Sequence, residues 1–472
     1  MSASALSTTL ADRIRSETGE NVFLCYQCNK CSAGCPLAQH FDLAPNQVMR
    51  AAQLGLEDLA LESSTPWLCI GCETCTTRCP NGIDVARVMD FMAAECRARG
   101  IAPAVPAVGL FTDIFLKNLR RFGRTYELGL IMEMNLRSGQ PLKDLSMGWA
   151  MMRKRKIKLL PEKAGRPEDA RPVPRKANQI GYYPGCSLHS VAGAYDSTVR
   201  AVAETLDLEL VEPRGWTCCG SSPAHRVAPK LAVELPLTNL ALMDRAGMDT
   251  VAVPCSACFS RLKVAQQEAV RNPALKAEVE AKIGHTIARQ LDVRTLVDVM
   301  VEKIGVPAIA ARTVRPLAGL RVACYYGCLM TRPPRVTGAD QPENPTILDR
   351  LVAALGATPI DWGHKTSCCG ASLSLTKTDI ALGLSAKIVA DARGAGADVI
   401  AVACPLCHTN LDDRQPQMAL PDTADGSPRG VPVLYFTQLM ALAFGLGAKT
   451  AALAKNMVDP RPALADLRVL DP

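Results

Sequence analysis

Apolar residues recur at helical spacing over the first third of the chain and gather into short strand-like runs over the rest. Val85, Val88, Met89, Met92 and Cys96 fall on one face of a predicted helix over 84–99, which Gly100 stops. Pro45 to Leu54 predicts another helix, with Pro in its first turn and Gly55 past its end. Over 101–150 the period is again helical. Phe111, Ile114, Phe115, Leu119 and Phe122 share a face, with Lys117, Arg120 and Arg121 opposite. The simpler reading packs that helix on the domain before it; a partner-docking or membrane-surface role is left open. From residue 178 the pattern changes to strand Gln179–Tyr183, helix 190–206 and strand Val251–Val253. Strand Arg321–Tyr326, helix 346–355 and strand Val399–Ala403 follow, with a helical bridge over 273–303 between the two sets. Such alternation predicts parallel α/β units, whose sites lie at the carboxyl ends of the strands. Residues 1–20 read as a short helix or loose tail. The stretch 153–177 carries charge, Pro and Gly with no apolar period and reads as an exposed basic linker. The tail 446–472 gives no signal.

The second half is written twice. Thr217-Cys218-Cys219-Gly220 returns as Ser367-Cys368-Cys369-Gly370. Each copy is preceded by an aromatic residue and a Gly-Cys turn, at Cys186 and Cys328, and followed by a C-x-x-C pair, Cys255/Cys258 and Cys404/Cys407. Gly247 to Cys255 also reads against Gly396 to Cys404. One structural unit is used twice, over about 178–311 and 312–445. Adjacent cysteines on a strand point to opposite faces, so the chain must turn at each Cys-Cys-Gly for both thiols to reach one site. Five thiols exceed the four that zinc or a cubane cluster takes. Either one cysteine is spare or the centre is larger than a tetrahedral site; zinc and a disulfide framework are the plainer alternatives.

The first hundred residues carry another doubled pattern. Cys25, Cys28, Cys31 and Cys35-Pro36 recur as Cys69, Cys72, Cys75 and Cys79-Pro80. This resembles the bacterial two-cluster ferredoxin run, in which three closely spaced cysteines serve one cubane and the fourth serves the other. On that pattern Cys25, Cys28, Cys31 and Cys79 hold one cluster, and Cys69, Cys72, Cys75 and Cys35 the second. Twenty cysteines in a chain with no visible secretion signal favour metal over disulfides and a reducing cytoplasmic setting, at low oxygen. No run of about 18 apolar residues marks a membrane span. Aromatic residues make up only 4% of the chain, which argues against base-stacking nucleic-acid binding. The net charge is +7, and residues 153–176 alone hold ten Lys/Arg against three Asp/Glu, so the excess is local to the linker.

The doubled Cys…Cys-Cys-Gly…Cys-x-x-Cys pattern resembles the CCG domains of the heterodisulfide reductase family. Residues 21–150 look like the C-type, ferredoxin subunit of that family and 178–445 like its B-type subunit, in the fused order of the D-type subunit. The resemblance implies an α+β multidomain protein: an N-terminal tail, a helical ferredoxin domain over 21–100, a helical extension over 101–152, then two tandem α/β CCG domains. It implies a non-cubane [4Fe-4S] cluster on Cys186, Cys218, Cys219, Cys255 and Cys258. A second sits on Cys328, Cys368, Cys369, Cys404 and Cys407. Between them a disulfide is reduced, or two thiols are oxidised. The donor in the family is a flavoprotein of the A type or a membrane cytochrome b, so the chain is expected to work in a hetero-oligomer.

Two cysteines stay outside these sets. Cys96 lies on the apolar face of its helix and reads as a core thiol. Cys324 aligns in the repeat with Tyr182 and is left out of the ligands. His189, His225, His364 and His408 stand near the cysteines; each either supplies a proton or hydrogen-bonds a cluster sulfur or the backbone. No phosphate-binding loop or dinucleotide fingerprint is present: Gly394-Ala-Gly396 follows a helical stretch and lacks the third Gly. Flavin and nicotinamide are therefore not expected in this chain. The competing functions are an electron-relay component of a glycolate or lactate dehydrogenase, or of a low-potential reductase such as benzoyl-CoA reductase.

Overall fold

A computed structural model describes residues 9–165, 169–174, 176–421 and 430–470. Residues 1–8 of the expected N-terminal tail, 166–168 and 175 of the expected linker, 422–429 of the second unit and 471–472 lie outside the described residues.

The first described helix, Leu10–Thr18, opens with a reciprocal cap between Thr9 and Asp12. Arg13 ties it to Glu57 and Glu95 at 2.8 and 2.9 Å. The two expected helices form at Pro45–Gln53 and Val85–Ala98. The carboxylate of Asp84 accepts the Arg87 amide at 3.0 Å and starts the second of them. Val88, Met89, Met92 and Cys96 are buried in the core of this N-terminal part, and the Cys96 thiol donates to the Leu61 carbonyl.

The stretch over 101–150 folds as three helices, Pro106–Phe122, Glu127–Arg137 and Leu145–Arg153. Its packing differs from expectation. Val105 and Val108 join the ferredoxin-side core. Ile114, Phe115 and Leu119 instead pack with Leu130 and Met134 around Cys218 and Ala224 of the first α/β unit. Most of this apolar face is therefore a cover for a cysteine site, and only its start rests on the preceding domain.

Two four-stranded parallel sheets follow. The first is built from β1 (Gln179–Tyr182), β2 (Glu209–Val211), β3 (Thr250–Val253) and β4 (Asp292–Thr295), in the order β2-β1-β3-β4. The second uses β5 (Arg321–Tyr325), β6 (Thr358–Pro359), β7 (Val399–Val402) and β8 (Val433–Tyr435), in the order β6-β5-β7-β8. The shared strand order is the structural form of the sequence repeat. The central strands match the expected runs; the edge strands were not foreseen. β4 interrupts the expected helical bridge over 273–303, where helix Pro273–Ile283 ends and the chain turns into the sheet beside β3. Its alternating Asp292-Val293-Arg294-Thr295 buries only every second residue, so it lacks the continuous apolar run of a central strand.

One hydrophobic core runs through both units. Tyr195 stacks on Tyr435 with ring centres 4.1 Å apart and donates its hydroxyl to the Ala403 carbonyl. Thr198 meets Thr437 at 2.6 Å. The stretch read as an exposed linker is pinned at several points: Lys156 is buried in an ion pair with Asp413, and Ala170 is buried as well.

Arg332 joins the ferredoxin side to the second unit. Its buried guanidinium donates to the Thr74 hydroxyl at 3.0 Å, to the Thr366 carbonyl and hydroxyl at 2.9 and 2.8 Å, and to Glu343 at 2.8 Å. Replacing it with Met keeps the stem and strands these acceptors. R332M is expected to destabilise the protein by about 2 kcal/mol, read as a lower midpoint in anaerobic chemical denaturation; an unchanged midpoint would show that the docking does not depend on this residue.

Candidate metal centres

The ferredoxin-side cysteines come together in the two crossed sets that their spacing predicts. One cavity is walled by Cys25, Cys28, Cys31 and Cys79 with Met49 and Ile83. The other is walled by Cys35, Cys69, Cys72 and Cys75 with Leu37 and Met89. Four sulfurs on an otherwise apolar wall are a donor set that fits a cubane cluster. The chain supplies these walls with local loops. Asn29 and Glu73 take left-handed backbone angles at equivalent places in the two runs, each opening the short helix that carries the third cysteine. Burial pushes the Cys72 thiol up to about 12, with Cys328 adding to it. Burial likewise raises Cys35, Cys69 and Cys75. Cys28 is the exposed member of the two sets.

Each α/β unit collects its five cysteines at the carboxyl ends of its strands. Cys186 and Cys328 follow β1 and β5. Cys255 and Cys404 follow β3 and β7 and start the helices Ser256–Arg271 and Pro405–His408, which carry Cys258 and Cys407 in their first turns. The Cys-Cys-Gly turns form where expected, with Gly220 and Gly370 at φ +86° and +77°. Sulfur–sulfur distances are 3.4 Å for Cys219–Cys258, 3.6 Å for Cys328–Cys368 and 3.7 Å for Cys369–Cys407. Cys186 lies beside Cys218, and Cys404 beside Cys407. All are free thiols. Five convergent sulfurs in a buried, largely apolar site suit a soft metal cluster and exceed what a tetrahedral zinc needs.

Gly185 and Gly327 make this convergence possible. Both lie at positive φ, +73° and +70°. A Cβ at Gly185 would stand 3.0 Å from the Cys258 sulfur, and one at Gly327 would stand 3.1 Å from the Cys407 sulfur.

The four sets lie in series. Cys72 faces Cys328 and Cys368 of the second unit, and the Ser372 hydroxyl donates to the Ile70 carbonyl beside it. From there the second unit's Cys404 lies beside Cys255 of the first unit, across the contact of Tyr195 with the Ala403 carbonyl. The order is Cys25/28/31/79, then Cys35/69/72/75, then the second unit, then the first. The two units thus differ in surroundings. Both units touch the ferredoxin side, the first through His225 on Asp90 and Arg226 on the Cys69 carbonyl, but it is the second that brings its cysteines against Cys72. The first is covered by the loop after helix Pro106–Phe122, where the Thr125 amide donates to Cys186 at 3.4 Å and its hydroxyl to Cys218 at 3.6 Å.

The histidines are all engaged. His189 bonds Glu212 at 3.0 Å and lies edge-on to Trp216. His225 bonds Asp90 at 2.5 Å, with burial holding its pKa below the ordinary value. His364 meets the Ser367 hydroxyl at 2.7 Å. His408 is buried, stacked on Tyr435 at 4.1 Å, and bonded to Asn456. Cys324 sits inside β5, fully buried beside Asp349 and Lys365, away from the sulfur sets.

Sequence reasoning missed several supporting residues. The Tyr183 hydroxyl donates to the Thr217 carbonyl at 2.7 Å, and Tyr325 does the same to Ser367 at 2.6 Å. Their matched place, three residues before Cys186 and Cys328, was the available signal. Asn239 brackets Thr217 through both its amide and carbonyl, and Asn410 holds the Cys369 carbonyl at 2.8 Å. Thr125 lies outside the repeat and carried no signal.

Comparison with known proteins agrees with this arrangement. The cysteine-rich domain model, CCG, matches residues 180–263 and 322–412, and a 4Fe-4S dicluster domain model matches 24–84. The chain is 30% identical over 284 residues to the 8-methylmenaquinol:fumarate reductase membrane anchor subunit of Wolinella succinogenes, covering 60% of this chain and 97% of the relative. It is 27% identical to the B-type subunit of the ferredoxin/F420H2-dependent CoB-CoM heterodisulfide reductase of Methanosarcina acetivorans, covering 59% of this chain and 94% of that one. A further 102 residues are 31% identical to the C-type subunit of the H2:CoB-CoM heterodisulfide,ferredoxin reductase of Methanothermobacter marburgensis, covering 21% of this chain and 55% of the relative. With a dicluster part ahead of two cysteine-rich units, and with relatives of both types, the chain belongs to the heterodisulfide reductase family as an iron–sulfur protein that fuses a C-type part to a B-type part.

Proposed function

We propose that this chain is the iron–sulfur component of a heterodisulfide reductase-like complex that splits a small-molecule disulfide, or in reverse joins two thiols. Cys25, Cys28, Cys31 and Cys79 would hold one cubane, and Cys35, Cys69, Cys72 and Cys75 the other. The five cysteines of each α/β unit would hold a non-cubane [4Fe-4S] cluster. When bound, these groups supply one-electron transfer and, at the two five-cysteine centres, iron able to take one sulfur each from a cleaved disulfide, which needs two electrons and two protons in all. The carrying observation is the gathering of five cysteines at each of two units that share one core, where the Tyr195 hydroxyl of the first donates to the Ala403 carbonyl beside Cys404 of the second.

The chain's own residues divide the remaining work. Exposed Cys28, fringed by Phe23, Leu24 and Tyr26 at 63, 53 and 62% exposure, marks the first set as the one that meets a donor, a flavoprotein or a membrane cytochrome. Thr125 donates to two sulfurs of the first centre and orients them. Tyr183 and Tyr325 fix the Cys-Cys-Gly turns. Activity belongs to the assembled complex.

A second reading is a relay component in a quinol-linked complex, favoured by the fumarate reductase relative. Disulfide turnover by the complex, with and without quinol, separates the two.

Anaerobically purified protein is expected to carry about sixteen irons and as many acid-labile sulfides, four per cluster, with an EPR signal of the oxidised sample that shifts on adding thiol. About eight irons, with zinc or nothing in the second half, would sink the disulfide chemistry. Gly327→Ala is expected to lose about four irons, those of the second α/β unit, because its methyl displaces Cys407. Gly185→Ala should do the same in the first. Full iron content in both variants would mean that these sulfurs do not converge on a cluster.

A further inference from the structure

Half of the large hydrophobic side chains that stand exposed among the described residues, eight of sixteen, come from residues 132–160. That concentration makes them a surface rather than scatter. Met132 and Leu136 lie one turn apart on helix Glu127–Arg137, and Leu145, Trp149 and Met152 at the same spacing on helix Leu145–Arg153. Exposure reaches 65% at Leu136, 63% at Leu145 and 61% at Trp149. The buried sides of these helices are Leu130 and Met134, and Met151. Both helices are thus apolar inward and outward, which a helix facing water only does not require.

The stretch folds back on itself at two points, which brings these residues near one another. The Asn135 side chain donates to the Lys143 carbonyl at 2.9 Å, bringing Leu142 to the end of the first helix. The Tyr126 hydroxyl donates to the Leu159 carbonyl at 2.6 Å, bringing Leu159 and Leu160 to its start.

The charge around this face has one sign. Residues 130–160 hold seven Lys/Arg and two Asp/Glu. Of the two acids, Glu133 is shared by Lys117 and Arg137, and Asp144 is held by Arg414. Arg153 and Arg155 are exposed and pair with no carboxylate among the described residues. Lys455 approaches from the C-terminal part, donating to the Lys154 carbonyl at 2.6 Å; burial, then Arg155, Lys156 and Lys154, hold its pKa below the ordinary lysine value. A tryptophan and leucines beside unpaired arginines match the boundary of an anionic bilayer, where the apolar groups enter the acyl region and the cations meet the headgroups.

We propose that helices Glu127–Arg137 and Leu145–Arg153 lie flat on an anionic lipid surface and dock the protein there peripherally. They have eleven and nine residues, and no helix among the described residues is long and apolar enough to cross a membrane. Docking in the plane of the interface is the geometry left to such short helices.

Trp149 is the exposed one of the four tryptophans, since Trp67, Trp216 and Trp362 are buried, so it reports on this face without a label. The full, iron-loaded chain is mixed with phosphatidylcholine vesicles and with phosphatidylglycerol-rich vesicles. The expected result is co-sedimentation with the second kind only, reversed by high salt, with a blue shift of tryptophan emission. Leu145→Ser, which keeps the reporter, should lose both. The double change R153Q/R155Q should weaken binding on the order of 20-fold. Unchanged iron content in each variant shows that the fold is kept. No sedimentation with the anionic vesicles, equal binding to both lipids, or undiminished binding by Leu145→Ser would each overturn the proposal. A protein partner covering this face would give the first of these results.

Discussion

Sulfur is large, and five sulfurs cannot meet at the end of a parallel sheet unless the backbone beside them is bare. Gly185 and Gly327 meet that condition. Each stands where a methyl would touch a cysteine sulfur, at a positive φ that other residues take only with strain. The rest of each site follows from it. With the Gly-Cys turn tucked against the C-x-x-C helix, the Cys-Cys-Gly loop has one place left to go. Tyr183 or Tyr325 then anchors that loop by a carbonyl. The strands matter because they end together and deliver these turns to a common edge.

A repeat in sequence does not make two equal sites. Both units share strand order, turn glycines and tyrosine anchors, yet their neighbours differ. The second unit has Cys72 of the ferredoxin side against Cys328 and Cys368. The first has Thr125 donating to Cys186 and Cys218. Hydrogen bonds to a thiolate favour its charged form, whereas a neighbouring thiolate disfavours it. Identical ligand sets therefore have different neighbours, and those neighbours are residues outside the repeat.

Much of this was legible in the chain. The central strands β1, β3, β5 and β7 are buried over all but their first residue or throughout and lead to cysteines, and the crossed cysteine sets follow from spacing. The edge strands were not legible because they are short or broken in pattern: β6 has two residues, β4 alternates, and β8 is an apolar run of only three. Nor was the cover on the first centre. The apolar face of helix Pro106–Phe122 announces burial but not against what, and a helix can satisfy that face on either neighbour. The donor role of Thr125 depends on a loop whose path only packing decides. A single threonine outside any motif has no pattern to be read from.

The basic stretch between the two halves shows why composition misleads there. Its charge and lack of period are those of a free linker, and a free linker would leave the two cubane-type sites at a loose, fluctuating distance from the α/β units. Instead Lys156 is buried against Asp413 and Arg124 reaches Glu162 at 2.5 Å, while Arg332 locks Thr74 to Thr366 from the other side. A buried ion pair contributes little net stability, but breaking it leaves a lone charge in the interior, so it specifies one arrangement strongly. Electron transfer between buried centres depends on fixed separation. A fused chain reaches that condition only if its joint is held, and Lys156 buried on Asp413 and Arg124 buried on the exposed Glu162 hold it at those points.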